Sequence, residues 1–269
     1  MRLIQARRAS QRPDCPPRQQ TGTTLPEVLV GTTVGALVLV GISTTYVLGA
    51  RATAQNVAQA RLSQELRATF EIMQQDIRRA GYWSFPSEES SDPADNPFQR
   101  TIDGIDNDLR TGAASGETAA SCLLYTYDSD LTGEVGVCSG CSPAGFANSL
   151  FDRARMEMFG WRLKEGAIQM RTGLLPANSD VTFTCTSGSW EKVTSDDVTI
   201  TALGFRLMST TTNLNPSKSV ADPCAANDPC RESRVVEMLL AGELAEDPSV
   251  RQGLRGNAAV RNDRYFVQD

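Results

Sequence analysis

Apolar residues fall along this chain in three regimes, each with its own period. Residues 28–50 contain no charge, and as a helix that stretch is about 35 Å long, enough to cross the hydrocarbon of a bilayer. From Arg51 onwards the apolar positions thin to a stripe. Val57 or Ala58, Leu62, Leu66, Phe70, Met73 and Ile77 recur at three- and four-residue steps, with Arg61, Glu65, Arg67, Glu71, Asp76, Arg78 and Arg79 between them. That is one face of an amphipathic helix. Gly81 closes the pattern behind two cations that suit a helix C-terminus. The two regimes join without a break, so the pattern predicts one helix over residues 25–80, apolar all round in its first half and one-sided in its second. Pro26 falls in its first turn, where the missing N–H donor is not needed.

The third regime begins after a gap. Residues 82–120 are rich in Ser, Asp, Pro, Asn and Gly with no sustained period and read as a long loop. Strand patterns follow at 122–127, 156–163, 167–171, 181–185, 198–208 and 234–244. Thr199, Thr201 and Leu203 alternate with Ile200, Ala202 and Gly204, as in a sheet with one face covered. The short Lys164-Glu165-Gly166 connection favours antiparallel hairpins. The predicted class is α+β: a long N-terminal helix packed on an antiparallel β-sheet. Neither internal repeats nor a second core are evident, so the expected organisation is a leader over residues 1–22, a helix over 23–81 and a β-rich head over 82–269.

Charge sharpens the picture at both ends. Arg2, Arg7, Arg8, Arg12 and Arg18 stand before Gly22 against a single acid, Asp14, although the whole chain carries a net charge of −6. A basic leader and an acidic body fit a leader retained in the cytoplasm and a body exported across the membrane. An acidic body gains little from nucleic acid phosphates, and none is expected as a partner. The chain has no histidine, which removes the usual general base, the commonest zinc ligand and the partner of a catalytic serine or cysteine. No enzyme activity, cofactor or metal is expected.

Of seven cysteines, Cys15 lies in the leader, and Cys122, Cys138, Cys141, Cys185, Cys224 and Cys230 remain. An even set in an exported domain reads as a disulfide framework, although sequence alone leaves several connectivities open. Proximity favours Cys224–Cys230 and Cys138–Cys141, with Cys122–Cys185 as the long-range staple. Cys138-Ser-Gly-Cys141 is also the spacing of a redox or zinc half-site, but the following Ser142-Pro143-Ala144-Gly145 does not open a helix as a redox motif should.

The segment Gln20-Thr21-Gly22-Thr23-Thr24-Leu25-Pro26-Glu27 places a lone carboxylate five residues beyond a glycine, at the mouth of the apolar helix. An isolated acid there is costly and marks a function. A secretory signal cut near Ala50-Arg51-Ala52 would need an apolar region about twice the usual length. Gly31-x-x-x-Gly35 permits close helix approach and is also common by chance.

Gly22 to Leu29 resembles the prepilin cleavage and methylation signal. The run Gln64-Glu65-Leu66-Arg67-Ala68 leading to Asp76-Ile77-Arg78-Arg79-Ala80-Gly81-Tyr82 resembles the helix end of PilW-type minor pilins and J-class pseudopilins. Cys122 to Asp128, Phe159-Gly160-Trp161-Arg162-Leu163, Gly166-Ala167-Ile168, Cys185, Trp190-Glu191 and Ile200 to Phe205 are similar to prepilin peptidase-dependent protein B, of the same group. The likeness spans about residues 20–210, and nothing similar is found for 207–231.

The resemblance implies cleavage by prepilin peptidase between Gly22 and Thr23, N-methylation of Thr23 where phenylalanine is usual, and helix docking through Glu27 against a neighbour's terminal ammonium. Its implied partners are other minor pilins, the major pilin and the inner-membrane assembly platform. Its implied location is the inner membrane, single-pass with a periplasmic head, and then the pilus tip. A J-like pseudopilin of a type II secretion system and a signal-anchored periplasmic binding protein or enzyme are the alternatives.

The remaining constellations have plainer readings. Asp128-Ser129-Asp130 and Asp103-Gly104-Ile105-Asp106-Asn107-Asp108 offer oxygen ligands, but neither completes a calcium loop, and both read as solvated acidic turns. The stretch from Asp222-Pro223-Cys224 to Asp228-Pro229-Cys230 reads as a disulfide-closed surface loop. Trp83, Trp161 and Trp190 read as core or edge packing.

Overall fold

A computed structural model describes residues 22–84, 92–102, 104–129, 131, 133, 135, 157–172 and 182–268. The chain divides into two units, Met1–Thr53 and Ala54–Asp269. Helix α1, Leu25–Ile77, contributes to both. Its apolar and one-sided halves follow the two periods in the sequence. The stripe is displaced slightly from the expected one: Leu62, Leu66, Thr69, Met73 and Ile77 are buried, whereas Val57 is exposed. The helix stops at Ile77, one turn before the expected end. A turn follows to Gly81 at φ +70°, where a Cβ would sit 2.2 Å from Gln99 Nε2, so this left-handed, crowded position suits glycine alone.

The segment expected to be a long loop is partly structured. Two 3₁₀ turns, Pro93–Asp95 and Pro97–Gln99, are capped by the Asp92 and Asn96 side chains. Strands β1 (Thr101–Ile102) and β2 (Ile105–Asp106) form a small ladder, and β3 (Arg110–Gly112) joins the first main sheet. Pro97, Phe98, Gln99 and Asn107 are buried. Short polar side chains that cap backbone groups gave this segment structure without any hydrophobic period.

The first main sheet runs in the order β3, β4 (Cys122–Thr126), β5 (Met158–Lys164), β6 (Ala167–Arg171) and β7 (Trp190–Lys192), antiparallel throughout. No strand occupies 182–185, against the expectation from Thr and Phe. There Ser187 N and Oγ bond the Thr184 and Thr182 carbonyls, and the Thr184 hydroxyl accepts from Ser187 N. Local hydroxyl bonds displace the ladder. The second sheet is built around β9 (Pro229–Leu244), which pairs with β8 (Val198–Asn213) along one side and with β10 (Arg251–Ala259) and then β11 (Arg264–Val267) along the other. β8 and β9 are each longer than their hydrophobic alternation indicated.

Within the second unit, residues 54–77 of α1 lie against this sheet. At Gly242 a Cβ would meet Leu66 Cδ2 at 3.2 Å and Thr199 O at 3.1 Å, and at Gly256 it would meet Phe70 Cζ at 3.0 Å. The two glycines allow the helix its close approach. The shared core comprises Leu62, Leu66, Met73 and Ile77 with Trp161, Ile168, Leu203, Phe205, Val236, Met238 and Leu240.

Candidate functional site: an uncovered apolar helix

The Thr24 carbonyl accepts from Glu27 N at 3.1 Å and Val28 N at 3.2 Å, so α1 begins with Glu27 in its first turn. A carboxylate there is favoured by the helix dipole. Among the described residues it has no ion-pair partner. Gly22 and Thr23 precede the helix, outside any regular element, and are exposed. Every residue from Gly22 to Val57 is exposed, Leu25, Leu37, Leu39, Ile42 and Tyr46 among them. Each apolar side chain left in water forgoes about 1.5–3 kcal/mol of burial.

Five threonine hydroxyls in this stretch are satisfied within the helix. Thr32 and Thr33 donate to the carbonyls of Leu29 and Val30, Thr44 and Thr45 both to Gly41, and Thr53 to Gly49, at 2.8–3.0 Å. A helix that turns its threonine hydroxyls onto its own backbone presents their methyl groups outward, as suits an apolar medium. Among the described residues α1 is the helix long and apolar enough to cross a membrane. Around Gly31, Gly35, Gly41 and Gly49 nothing lies within 4 Å of an added Cβ, so these glycines are gaps in its surface that a neighbouring helix could enter.

A polar node centred on the half-buried Asp76 secures the other half of α1 to the first main sheet. Asp76 accepts from the Tyr125 hydroxyl, from Trp161 Nε1 at 3.3 Å and from the Tyr127 hydroxyl at 3.4 Å, and Trp161 Nε1 also reaches Tyr125 Oη at 3.0 Å. Burial, reinforced by the Asp76 charge, raises the Tyr127 phenol to about 12 and the Tyr125 phenol well above its ordinary value. Both rings stay neutral donors at physiological pH. Asp76, the Tyr125–Tyr127 pair and Trp161 lie in three separate stretches of the sequence, and no periodicity brings them together. The legible signal was a lone acid near the buried stripe, which needs donors nearby.

Cys122 and Cys185 are joined, with Cα atoms 6.2 Å apart, and so are Cys224 and Cys230. Cys138 and Cys141 lie outside the described residues. Two acids of these motifs, Asp128 and Asp108, are not solvated, whereas Asp106 is exposed as expected. Asp128 is buried and accepts from Ser84 N at 3.0 Å, Ser84 Oγ at 2.6 Å and Gly133 N at 3.0 Å. Asp108 faces the buried Arg234 and, at 3.5 Å, Arg264. Desolvated carboxylates with these donors hold the loops that supply them. Asp103 and Asp130 lie outside the described residues. In the 214–228 loop, Asp228 is held well below the usual carboxylate range, first by Lys218 at 2.6 Å, then by Asn215, Ala225 N and Asn213. Among the described residues no group of three metal-binding side chains occurs.

One cleft of about 700 Å³ opens beside α1, lined by Arg61, Glu65, Ser195, Asp197 and Glu246. Its carboxylate Glu65 is occupied by Ser195 N at 2.7 Å and Ser195 Oγ at 2.8 Å, so Ser195 faces an acid already engaged in a structural bond.

The features of this chain that stand out are therefore an uncovered apolar helix with an acid at its start and a disulfide-bonded head. No curated protein and no solved structure matches the chain. The family model of prepilin peptidase-dependent protein B matches residues 55–260, extending beyond 210 through β9 and β10 and across the 207–231 segment, where the sequence alone offered no likeness. By a match over more than half its length, through the packed half of α1 and both main sheets, this chain belongs to the prepilin peptidase-dependent protein B family.

Proposed function

We propose that this protein is a minor pilin that primes type IV pilus assembly and occupies the filament tip. It acts by assembly rather than turnover. Its family ties it to a pilus-related pathway, and the observation that carries the specific role is the uncovered helix with Glu27 in its first turn. In this reading prepilin peptidase cuts between Gly22 and Thr23, and the helix waits in the inner membrane with the head in the periplasm. It then docks among the helices of other minor pilins and the major pilin at the assembly platform. Glu27 sets the stagger there: opposite charges attract strongly in a low-dielectric bundle, whereas an unpaired one is penalised. Cleavage frees the Thr23 ammonium, the group a neighbour's acid would meet, and N-methylation would leave its charge in place. A bulky disulfide-bonded head suits the tip better than the closely packed shaft.

The test is the N-terminal sequence and intact mass of the protein made with and without prepilin peptidase. A peptidase-dependent start at Thr23 supports the reading; an uncut chain, or a start at Thr53, overturns it. Deletion that blocks exoprotein release while pili persist would instead assign the same helix to a type II secretion pseudopilin.

A further inference from the structure

We propose that Arg171 holds a small carboxylate, of formate or acetate size, side-on through its Nε and Nη2 donors. Arg171 ends β6, where it pairs with Trp190 of β7, and is 1% exposed. Its Nη1 donates to the Met158 carbonyl at 2.6 Å. Nε and Nη2 are equally buried and, among the described residues, meet no acceptor. Those two atoms carry the parallel N–H bonds of the guanidinium fork, which match the two oxygens of a carboxylate.

The charge around this fork has the wrong sign to satisfy it. The guanidinium carbons of Arg110 and Arg171 lie 4.5 and 5.1 Å from the centroid of the same Phe183 ring. Arg110 spends its donors on the Asp106, Asp108 and Phe183 carbonyls and has the exposed Asp106 carboxylate at 3.8 Å. Among the described residues no acid pairs with Arg171. Burial, and then the like charge of Arg110, lowers the Arg171 guanidinium to about 10, so it remains a cation at neutral pH. Arg234 shows how this chain treats a buried guanidinium elsewhere: it is 3% exposed and faces Asp108. A buried cation left without a counter-charge is strongly penalised, and two orphaned donors on it call for an ion from outside the chain.

Gly188 keeps the fork uncovered. Its φ is +81°, and a Cβ there would lie 2.6 Å from Arg171 Nη2 and 2.8 Å from Nε, so only a residue without a side chain leaves this edge bare. Gly188 is itself half-buried, which places the fork one residue from solvent. The depth of Arg171 limits the ligand to a few atoms, and one charge to be matched selects a monoanion. A small monocarboxylate meets both limits and supplies two coplanar acceptors; a phosphate dianion exceeds both.

The test is thermal melting of the full-length protein in detergent, in sodium acetate against sodium chloride at equal ionic strength and neutral pH. The midpoint should stand ~4 °C higher in acetate once its concentration is about tenfold its dissociation constant. R171K keeps the charge without the fork and R171M keeps neither, so both should lose the acetate-specific rise, whereas a general salt effect would survive in them. On the unaltered chain the Arg171 Nε–H resonance should move with acetate and stay in place with chloride, a readout that does not depend on either variant folding. Equal midpoints in the two salts, a rise retained in R171K and R171M, or an unmoved resonance overturns the inference. The site lies wholly within the head, so its failure leaves the pilus reading as it was.

Discussion

Leu37 and Leu66 belong to one helix, yet Leu37 is 74% exposed and Leu66 is 0% exposed. Their helix propensity is the same, so the difference lies in what covers them. Residues 54–77 bury a narrow stripe against a sheet that this chain supplies. Residues 28–50 are apolar on every side, and among the described residues nothing covers them. An amphipathic period thus marks a helix that completes itself, and an all-round apolar one marks a helix completed by something else.

The largest effect should come from testing that contrast directly. Leu66→Ala should cost about 2–5 kcal/mol and lower the melting temperature of the head by on the order of 10 °C, whereas Leu37→Ala should leave it unchanged in detergent. Equal losses by circular dichroism would break the comparison. Next, Gly242→Val should crowd Leu66 and the Thr199 carbonyl and cost about 1–3 kcal/mol, seen as a lower urea midpoint. Gly35→Val has open space around it, and a comparable shift there would mean that the first half is already covered.

A smaller effect is expected at alkaline pH. The Tyr127 phenol is raised to about 12, so the folded state favours its neutral form. That stabilisation is complete below the ordinary phenol value of about 10 and is lost as pH rises through about 12. Thermal melts from pH 9 upwards should show this loss, and Tyr127→Phe should reduce it; an unchanged slope in the variant would assign the loss elsewhere. The smallest effect on head stability is expected at Glu27. Glu27→Gln should leave the melt within about 0.5 kcal/mol while abolishing pilus priming in a complementation assay. Normal piliation would remove Glu27 from the docking role.

The parts of the fold legible in the sequence were those with a period. The helix, β4, β6 and the inner halves of β8 and β9 all follow from alternation or a three-to-four-residue step. β10 was not legible, because Gly253 and Gly256 lower its strand propensity and its register comes from pairing with β9. The 3₁₀ turns and the irregular 182–185 segment depend on side chains bonding nearby backbone, which leaves no hydrophobic trace. At the candidate site, the apolar run and Glu27 were visible at once. The Asp76 node was not, since its donors come from strands 49 and 85 residues away. Asp128 and Asp108 were misread for the same reason: composition cannot tell an acid in a turn from an acid folded inward.

The threonine hydroxyls of residues 32–53 give the helix one further property. Because each is bonded to a carbonyl of its own helix, replacing the surrounding medium, whether lipid chains or the side of another helix, breaks none of these hydrogen bonds. At those positions only van der Waals neighbours are exchanged, at nearly equal cohesion. Such a segment can leave one host and enter another without an intermediate that is poorly solvated, so its traffic can run in both directions with a low barrier, and the direction is left to whatever charge is engaged at its first turn.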